Sequence, residues 1–434
     1  MRASVIGTGY LGATHAACLA AAGHDVVAHD VDRDRLTALA EGRLPFHEPG
    51  LAELLREGVS SGRLRFTTDV ADVADAEVHF LCVGTPQRRG GRGADLDALR
   101  TAAADVARHA RRECLVVGRS TVPVGTADDL AEILEAEARV PVSLAWNPEF
   151  LREGRAVADS QHPDRLVLGV RDDASYAVLT EVYARWVRQG TTVVRTDLRT
   201  AELAKVSANV MLAARISVVN VLGEVCERSG ADIDDLVRIL GADPRIGTDV
   251  LDPGLGYGGS CLPKDTRAFV ARAGELGVES AALLHQVDLV NMRQRSRTVD
   301  LVRGLWGEHR RVAVLGIAFK PGSDDVRDSP ALDVATTLQH LGAQVRVHDP
   351  RALPSAARVA DGLGYAATVE EACSDADVVA VLTAWEDYAG LDPVALREGV
   401  ASPVVVDART CLDADKWRAA GWSFHGLGRS ACAS

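Results

Sequence analysis

The sequence predicts an α/β protein in which two doubly wound parallel sheets flank a long central helix and a helical middle segment. Strand-like apolar runs alternate with helix-like stretches from the N-terminus to about residue 198, and the alternation restarts at residue 311. The runs show no polar alternation, which is typical of strands covered on both faces. Between the two halves, residues 200–229 contain no proline and are apolar on most faces, which predicts one long buried helix.

Length and charge narrow the class of protein. At 434 residues the chain is too long for one core, and we predict three domains, at residues 1–198, 199–300 and 301–434. The net charge of -13 argues against nucleic acid or an anionic membrane as the main partner. No uninterrupted apolar run reaches about 18 residues, and the N-terminus lacks the layout of a signal peptide. These features predict a cytoplasmic protein.

The cysteines predict neither disulfides nor a metal centre. The chain has eight, without a CxxC pair or metal-ligand spacing, at positions 18, 82, 114, 226, 261, 373, 411 and 432. Reduced thiols in a cytoplasmic protein fit this pattern.

The first functional motif is GTGYLG at residues 7–12, which follows a strand and opens an alanine-rich helix. Its glycines let the backbone approach a pyrophosphate at the helix N-terminus, and the next strand ends at Asp30. A carboxylate there accepts from both ribose hydroxyls and disfavours a 2′-phosphate, so NAD is preferred over NADP, although nearby Arg35 tempers this preference. The alternative is a glycine turn without a ligand. This Rossmann-like domain is predicted to contact the cofactor through Gly7, Gly9, Tyr10, Leu11, Gly12, Asp30 and Arg35.

Loops after later strands supply further candidates. The strands are predicted at residues 78–84, 114–121, 142–148 and 165–170. Loops at the carboxyl ends of such strands line the ligand crevice, which places Thr85 and Thr121 near the cofactor, although each alone suits turn chemistry equally well. The motif NPEFLREG places Glu149 and Glu153 four residues apart, on one face if helical. This pair suggests proton handling or water activation, with a solvated acidic face as the alternative.

Lysine is rare in this chain. Only four of the 48 basic residues are lysines, at positions 205, 264, 320 and 416. Because lysine and arginine differ in hydration and pKa plasticity, a retained lysine suggests a role that arginine cannot fill, with chance survival as the alternative. Lys205 and Asn209 lie at positions i and i+4 of the long helix, where buried polar groups need partners, functional or purely structural. Lys320 and Arg327, in AFKPGSDDVRDSP, follow a strand and can hold phosphates.

The segment GYGGSCLPKD, at residues 256–265, surrounds Cys261 with small residues and places Lys264 and Asp265 after it. A cysteine that only packs in a core does not need glycines around it. The segment therefore predicts a thiol with a chemical role.

Together these motifs resemble those of the nucleotide-sugar 6-dehydrogenases, the UDP-glucose/GDP-mannose dehydrogenase family, over essentially the whole chain. The matching segments, in order, are GTGYLG, STVPVGT, NPEFLREG, the Lys205–Asn209 helix, DPRIG, GYGGSCLPKD, AFKPGSDDVRDSP and VVVDAR. The resemblance implies oxidation of a sugar C6 alcohol to a carboxylate with two NAD and a catalytic cysteine. It also implies a C-terminal nucleotide-sugar-binding domain and a homodimer or higher homo-oligomer.

The resemblance implies a role for each candidate residue. Cys261 attacks the C6 aldehyde to give a thiohemiacetal, a second hydride transfer gives a thioester, and water releases the acid. Asp265, Lys205 and Asn209 manage the proton and stabilise the developing oxyanion, and Glu149 is the acid/base. Thr121 completes the catalytic set, and the glycines at 258 and 259 let the sugar approach the backbone. Further cofactor contacts are Thr85, Thr121, Glu153, Lys264 and Arg327. The implied substrate contacts are Glu149, Phe150, Leu151, Lys205, Asn209, Arg245 (toward the neighbouring subunit), Tyr257, Gly258, Phe319, Lys320 and Arg409.

Two other classes of function stay open on the sequence alone. A hydroxyacid dehydrogenase of the 6-phosphogluconate type would transfer one hydride per turnover and have no use for Cys261. A sensor that binds NAD without catalysis would show a disrupted catalytic set, whereas all of the expected residues are present. Within the family, GYGGSCLPKDTRAF is most similar to the UDP-glucose enzymes, with GDP-mannose and UDP-N-acetylhexosamines as alternatives.

Overall fold

The computed structural model describes residues 1–429, which form two compact units. Unit 1 contains residues 1–208 and 271–277, and unit 2 contains residues 209–270 and the chain from 278 onward. Each unit is built on a sheet with helices, so the α/β class and the two doubly wound sheets are confirmed. The division into three domains stays a prediction, because the boundary between the units falls inside the long helix.

The sheet of unit 1 has eight strands in the order β3-β2-β1-β4-β5-β6-β7-β8, a doubly wound arrangement that starts from β1 in the middle. All neighbours are parallel except β6 and β7, which meet through one antiparallel pair, Trp146 and Gly169. Strands β3 and β8 are not predicted from the sequence, because both are short and partly exposed. The strands are β1 Arg2–Ile6, β2 Asp25–His29, β3 Leu64–Thr67, β4 Val78–Leu81, β5 Cys114–Gly118, β6 Val142–Trp146, β7 Arg165–Gly169 and β8 Thr192–Thr196.

Helices cover both faces of this sheet, which explains why its central strands show no polar alternation. Val5 and Phe80 pack into one apolar cluster, while their neighbours Ile6 and Leu81 pack into the other. The helices are α1 Tyr10–Ala21, α2 Arg33–Ala40, α3 Leu51–Ser60, α4 Asp97–His109, α5 Thr126–Glu137, α6 Ala156–Gln161, α7 Asp173–Val182, α8 Ala184–Arg188 and α9 Leu198–Ser229.

Unit 2 contains a six-stranded, all-parallel sheet in the order β11-β10-β9-β12-β13-β14, which repeats the central order of the first sheet. Its strands are β9 Arg311–Leu315, β10 Gln344–His348, β11 Gly364–Tyr365, β12 Val378–Val381, β13 Val404–Asp407 and β14 Ser423–Gly426. Its helices are α10 Ile233–Gly241, α11 Leu262–Glu275 (which ends in unit 1), α12 Ala282–Leu305, α13 Pro330–His340, α14 Leu353–Ala357, α15 Val369–Cys373, α16 Glu386–Ala389, α17 Pro393–Arg397 and α18 Ala414–Ala419. Short 3-10 turns lie at Val70–Val73 in unit 1 and Glu279–Ala281 in unit 2.

The long helix α9 has 32 residues, as the sequence predicts for 200–229. One 18-residue window in it has a mean hydropathy of 1.5, so by length and composition the helix is apolar enough to cross a membrane. Only 44% of that window is buried, so the expectation of burial all round is met only in part. A helix packed in a protein core meets the same two criteria, and α9 also buries Glu202, Lys205, Asn209 and Asn220.

No two of the seven cysteines among residues 1–429 form a disulfide with each other, and five of the seven are buried. The eighth, Cys432, lies outside the described residues. Across residues 1–429, no group of three or more His, Cys, Asp or Glu side chains is arranged to hold a metal ion.

Candidate active site

The glycine turn at the start of α1 forms an open anion site in unit 1. Gly7 has φ +92°, and a Cβ there would lie 2.9 Å from the Val83 nitrogen, while a Cβ at Gly12 would clash with the Gly7 carbonyl. A Cβ at Gly9, by contrast, would meet nothing within 4 Å. Gly9 precedes the helix without any side-chain cap, so the first N–H groups of α1 remain available for a phosphate.

Asp30 lies directly after β2, where a dinucleotide ribose is expected. Its carboxylate accepts hydrogen bonds from the Thr8 N–H (2.7 Å), the Thr8 hydroxyl (2.9 Å) and the Asp32 N–H (3.0 Å), and it pairs with Arg35 at 3.1 Å. Burial raises the pKa of Asp30, but these bonds and the Arg35 charge outweigh it and hold the pKa below its ordinary value. Asp30 therefore stays ionised near neutral pH and can accept from ribose hydroxyls.

Tyr10 links the glycine turn to the loop that carries the candidate glutamates. Its hydroxyl donates to the buried carboxylate of Glu48, which also accepts from the Gly154 N–H (2.8 Å) and the Val157 N–H (3.1 Å). Burial raises the pKa of the Tyr10 hydroxyl, so it remains a donor. The side chain of Leu11, the next residue, packs against the core of unit 1.

The loops after β4 and β5 are joined by side-chain hydroxyls. Thr85 donates to the Thr121 carbonyl at 2.7 Å, and Ser120 donates to the Val83 carbonyl at 2.6 Å. The buried carboxylate of Glu202, on α9, accepts from the Gly125 N–H (2.8 Å) and the Ala127 N–H (2.5 Å) where α5 begins. Burial raises the pKa of Glu202 to about 7, although the two N–H groups oppose that shift.

Glu149 and Lys205 form a buried ion pair in unit 1. The Lys205 Nζ lies 3.1 Å from the Glu149 Oε1, and the two side chains are 7% and 11% exposed. The Leu151 N–H donates to the other carboxylate oxygen of Glu149 at 2.6 Å. Phe150 packs beside them, with the Lys205 Nζ at 5.7 Å from its ring centre and the Arg165 guanidinium at 3.8 Å. The buried polar partner that the sequence required for Lys205 is therefore the predicted acid/base residue. Glu153, four residues after Glu149, lies in a turn with Gly154, in a segment that is not helical.

In unit 2, Cys261 directly precedes α11 and is partly exposed. The Ser260 hydroxyl lies 3.5 Å from its sulfur. Gly259 has φ +85°, and a Cβ there would lie 2.6 Å from the Phe319 ring. A Cβ at Gly258 would lie 2.5 Å from the Pro330 Cδ and would also clash with the Asp328 carbonyl. These two glycines are thus required by close packing against residues 319–330, a reason independent of the sugar approach that the sequence analysis gave.

Asp265 is buried one turn after Cys261, and its N–H donates to the Cys261 carbonyl at 3.0 Å. Its carboxylate accepts from the Asn209 amide at 2.6 Å and pairs with the Lys264 Nζ at 2.5 Å. The structure therefore joins Asn209, Lys264 and Asp265 in one cluster at the first turn of α11, the helix that follows Cys261. This cluster can hold an anionic oxygen and a proton.

The backbone of the cysteine loop is held from two sides. The buried Asn291 amide accepts from the Tyr257 N–H at 2.7 Å and donates to the Tyr257 carbonyl at 2.9 Å. Arg409 donates to the Gly256 carbonyl at 2.7 Å and to the Leu382 carbonyl at 2.8 Å. Burial lowers the pKa of Arg409 to about 10, and the Nη2 atom of its guanidinium has no hydrogen-bond partner among the described residues. Arg409 thus supports the backbone before Cys261, and its contact with the sugar nucleotide stays a prediction.

The remaining predicted contacts of unit 2 lie on loops. The Lys320 Nζ is 5.5 Å from the Phe319 ring centre. Arg327 pairs with Asp325 at 2.6 Å, and Arg245 pairs with Asp243 at 2.6 Å with 87% of its side chain exposed.

Comparison with known proteins identifies the chain as a whole. Models of the UDP-glucose/GDP-mannose dehydrogenase family match its NAD binding domain to residues 1–187, its central domain to residues 199–293 and its UDP binding domain to residues 313–414. The chain belongs to this family.

Relatives named as UDP-glucose 6-dehydrogenases match the chain from end to end. The enzyme of Rhizobium meliloti strain 1021 is 39% identical over 435 residues, covering 99% of this chain and 100% of the relative. That of Haloferax volcanii is 41% identical over 422 residues, covering 94% and 96%. The solved structure of a UDP-glucose dehydrogenase from Pyrobaculum islandicum has a TM-score of 0.91 and 38% identity, covering 99% and 98%.

Family membership confirms the resemblance inferred from the motifs. It identifies a dehydrogenase that uses a nicotinamide dinucleotide and takes a nucleotide sugar as substrate. A two-electron hydroxyacid dehydrogenase or a non-catalytic sensor is not favoured.

Three positioning residues of this family member escaped the sequence analysis. Glu48, Glu202 and Asn291 are each buried and hold the backbone of a loop that carries predicted site residues. For Glu202 a signal was present, since a carboxylate in an apolar helix needs partners as much as Lys205 does. Glu48 and Asn291 stand in no local pattern that marks them.

Proposed function

We propose that this protein oxidises the C6 hydroxyl of UDP-glucose to the carboxylate of UDP-glucuronate, with two NAD consumed per sugar. The observation that supports this most directly is that Cys261 directly precedes α11, whose first turn carries Lys264 and the buried Asp265, with Asn209 hydrogen-bonded to Asp265. The names of the full-length relatives support the choice of sugar and base.

The residues of unit 1 fit NAD. The open N-terminus of α1 would receive the pyrophosphate, and the ionised carboxylate of Asp30 would accept from the ribose hydroxyls and repel a 2′-phosphate. Bound NAD supplies the hydride acceptor for each of the two oxidations. Thr85, Thr121, Glu153, Lys264 and Arg327 are the further contacts that the family pattern proposes.

The chain's own residues account for the rest of the chemistry. The Cys261 thiolate adds to C6 of the aldehyde and forms a C–S bond, so the aldehyde neither hydrates nor escapes. By the family pattern, Asp265 and Lys205 manage the proton and stabilise the developing oxyanion at C6, and Asn209 helps to hold the same oxygen. After the second oxidation C6 is a thioester, and a water that gives its proton to Glu149 attacks it. The C–S bond then breaks, which returns the Cys261 thiolate and frees the acid.

The mechanism is tested by turnover of nucleotide sugars by Cys261 variants. The unmutated protein should form two NADH for each UDP-glucose consumed. It should turn over UDP-glucose faster than GDP-mannose or UDP-N-acetylhexosamines. Cys261→Ala should lose acid production, with slow interconversion of alcohol and aldehyde remaining, because the first oxidation does not use sulfur. Cys261→Ser should be only slightly better, since an oxygen ester hydrolyses less readily than a thioester.

Cys411→Ser provides the matched control, because Cys411 is the other cysteine within residues 1–429 that is not fully buried. It should keep the activity of the unmutated protein. Uronic acid formed by Cys261→Ala at the unmutated rate would exclude the covalent mechanism.

We further propose that the protein is a homodimer or higher homo-oligomer in the cytoplasm. Met211, Val218, Val221 and Val225 recur along one face of α9 and are 45–70% exposed. A continuous apolar stripe of this kind is typical of an interface. Arg245, exposed on the loop after α10, would then contribute to the nucleotide-sugar phosphates of the neighbouring subunit.

A further inference from the structure

Asp328 combines an unusual backbone conformation with two cationic partners in unit 2, the buried Arg295 and the half-buried Arg267. Its φ is +46°, in the left-handed region that few residues other than glycine adopt. Its carboxylate accepts from Arg295 at 2.7 Å and from Arg267 at 3.3 Å. A conformation of this kind persists only when its surroundings hold it, and such residues cluster at functional sites.

The backbone at residues 327 and 328 forms the surface on which the cysteine loop packs. The Gly259 N–H donates to the Arg327 carbonyl at 3.1 Å. The Asp328 carbonyl occupies the space that a Cβ of Gly258 would need. Because glycines 258 and 259 have no side chains of their own to anchor them, this contact sets where the loop before Cys261 runs.

The two arginines connect Asp328 to the helices behind that loop. Arg267 lies on α11, which begins at the residue after Cys261, and it also makes a two-pronged contact with Asp288 of α12 at 3.1 and 3.3 Å. Arg295 lies on α12, 6% exposed, and also reaches Asp333 at 3.3 Å. Asp328 therefore joins the loop in front of Cys261 to the helix behind it.

We propose that Asp328 is a positioning residue for Cys261: its carboxylate, clamped by Arg267 and Arg295, holds the left-handed turn against which the cysteine loop is registered. The proposal rests on the proposed function, in which Cys261 is the nucleophile. Removing the charge frees the turn, and a shift of about 1 Å in the sulfur costs up to about 100-fold in rate.

The test compares Asp328→Asn with Asp333→Asn. Asparagine tolerates the left-handed conformation and keeps the size of the side chain, so only the charge is lost. Asp333→Asn removes the other carboxylate partner of Arg295 without touching the turn. The two readouts are kcat with UDP-glucose and the rate at which iodoacetamide alkylates Cys261, followed by peptide mass spectrometry with Cys411 as the internal reference.

We expect Asp328→Asn to lower kcat by about 10- to 100-fold and to change the alkylation rate of Cys261 by about threefold or more, with Cys411 unaffected. Asp333→Asn should leave kcat and the alkylation rate of Cys261 within about twofold of the values of the unmutated protein. If Asp328 served only overall stability, its substitution would lower the melting temperature but leave the Cys261 thiol of the folded protein equally reactive.

Asp328→Gly provides a second variant, because glycine adopts the same φ without steric strain and also lacks the carboxylate. Unchanged kcat and alkylation in both variants, or equal losses in Asp333→Asn, would overturn the proposal. If the unmutated protein oxidises no nucleotide sugar, the proposed function fails, and the alkylation comparison alone then decides whether Asp328 positions the loop.

Discussion

Asp30 keeps its charge because donors from Thr8, Asp32 and Arg35 converge on it. The burial that would favour its neutral form is outweighed, and the pKa stays below its ordinary value. A fixed negative charge at the end of the second strand is the feature that separates the ribose of NAD from the 2′-phosphate of NADP.

Asp30→Ala should therefore weaken the binding of NAD and reduce the discrimination against NADP. We expect the KM for NAD to rise by about tenfold, the loss of a charge-assisted hydrogen bond of roughly 1.5 kcal/mol, and the ratio of kcat/KM values for the two cofactors to move toward one. Asp34→Ala, which removes an exposed carboxylate from the first turn of α2, should change neither. Equal or better turnover with NADP in the unmutated protein would refute this assignment.

Gly258 and Gly259 show how one residue can satisfy a local and a distant requirement. The resemblance to the family implies that they let a sugar approach the backbone, and the structure adds packing against Phe319, Asp328 and Pro330. Either glycine is thus expected to resist substitution even when no ligand is bound.

At the scale of elements, Glu202 holds the start of α5 against α9. Its carboxylate accepts two N–H groups that would otherwise lack partners at the helix N-terminus. Burial raises its pKa to about 7, above the value of about 4.3 in an unfolded chain. Because the folded state binds this proton more tightly, the stabilisation is full below about pH 4 and is lost as the pH rises to 7.

Glu202→Gln should therefore flatten the pH dependence of stability. Relative to the variant, the unmutated protein should lose up to about 3 kcal/mol between pH 4.5 and pH 7, or several degrees in melting temperature. Differential scanning fluorimetry across that range measures the difference between the two curves. Glu132→Gln, a change at an exposed glutamate of α5, the helix whose start Glu202 holds, should give a curve parallel to that of the unmutated protein. A parallel curve for Glu202→Gln would contradict the prediction.

At the scale of the whole molecule, the exposed stripe on α9 is the feature that a monomer leaves unexplained. Val218 and Val225 are 58% and 55% exposed and lie two turns apart on one face. Burying such a stripe stabilises an association by about 25 cal/mol for each Å² of apolar surface removed from water.

The double change Val218→Glu and Val225→Glu should convert the assembly to monomers, because buried unpaired carboxylates oppose association. Sedimentation velocity measures the change, and activity should fall with it if Arg245 serves the neighbouring subunit. Val359→Glu, at an equally exposed apolar residue in another part of unit 2, should leave the assembly intact. A fully active monomer of the unmutated protein would rule out the proposed assembly.

Much of the fold and many of the candidate site residues could be predicted because their signals are local. A glycine turn between a strand and a helix, followed by Asp30, needs only about thirty consecutive residues to be recognised. The absence of polar alternation in the strands and the length of α9 are likewise properties of short windows, and both sheets follow from them. The partly exposed strands β3 and β8 were missed because neither has a continuous apolar run.

The sequence by itself determined the α/β class, the two sheets, the family and the residues that carry the proposed chemistry. Only the tertiary structure decided which groups hold those residues in place: Glu48 at the Gly154 turn, Glu202 at α5, Asn291 at Tyr257 and Asp328 at Gly258. These partners are separated by 34 to 106 positions along the chain. A hydrogen bond between distant segments leaves no periodicity in the sequence, because it depends on where the folded chain brings two groups together.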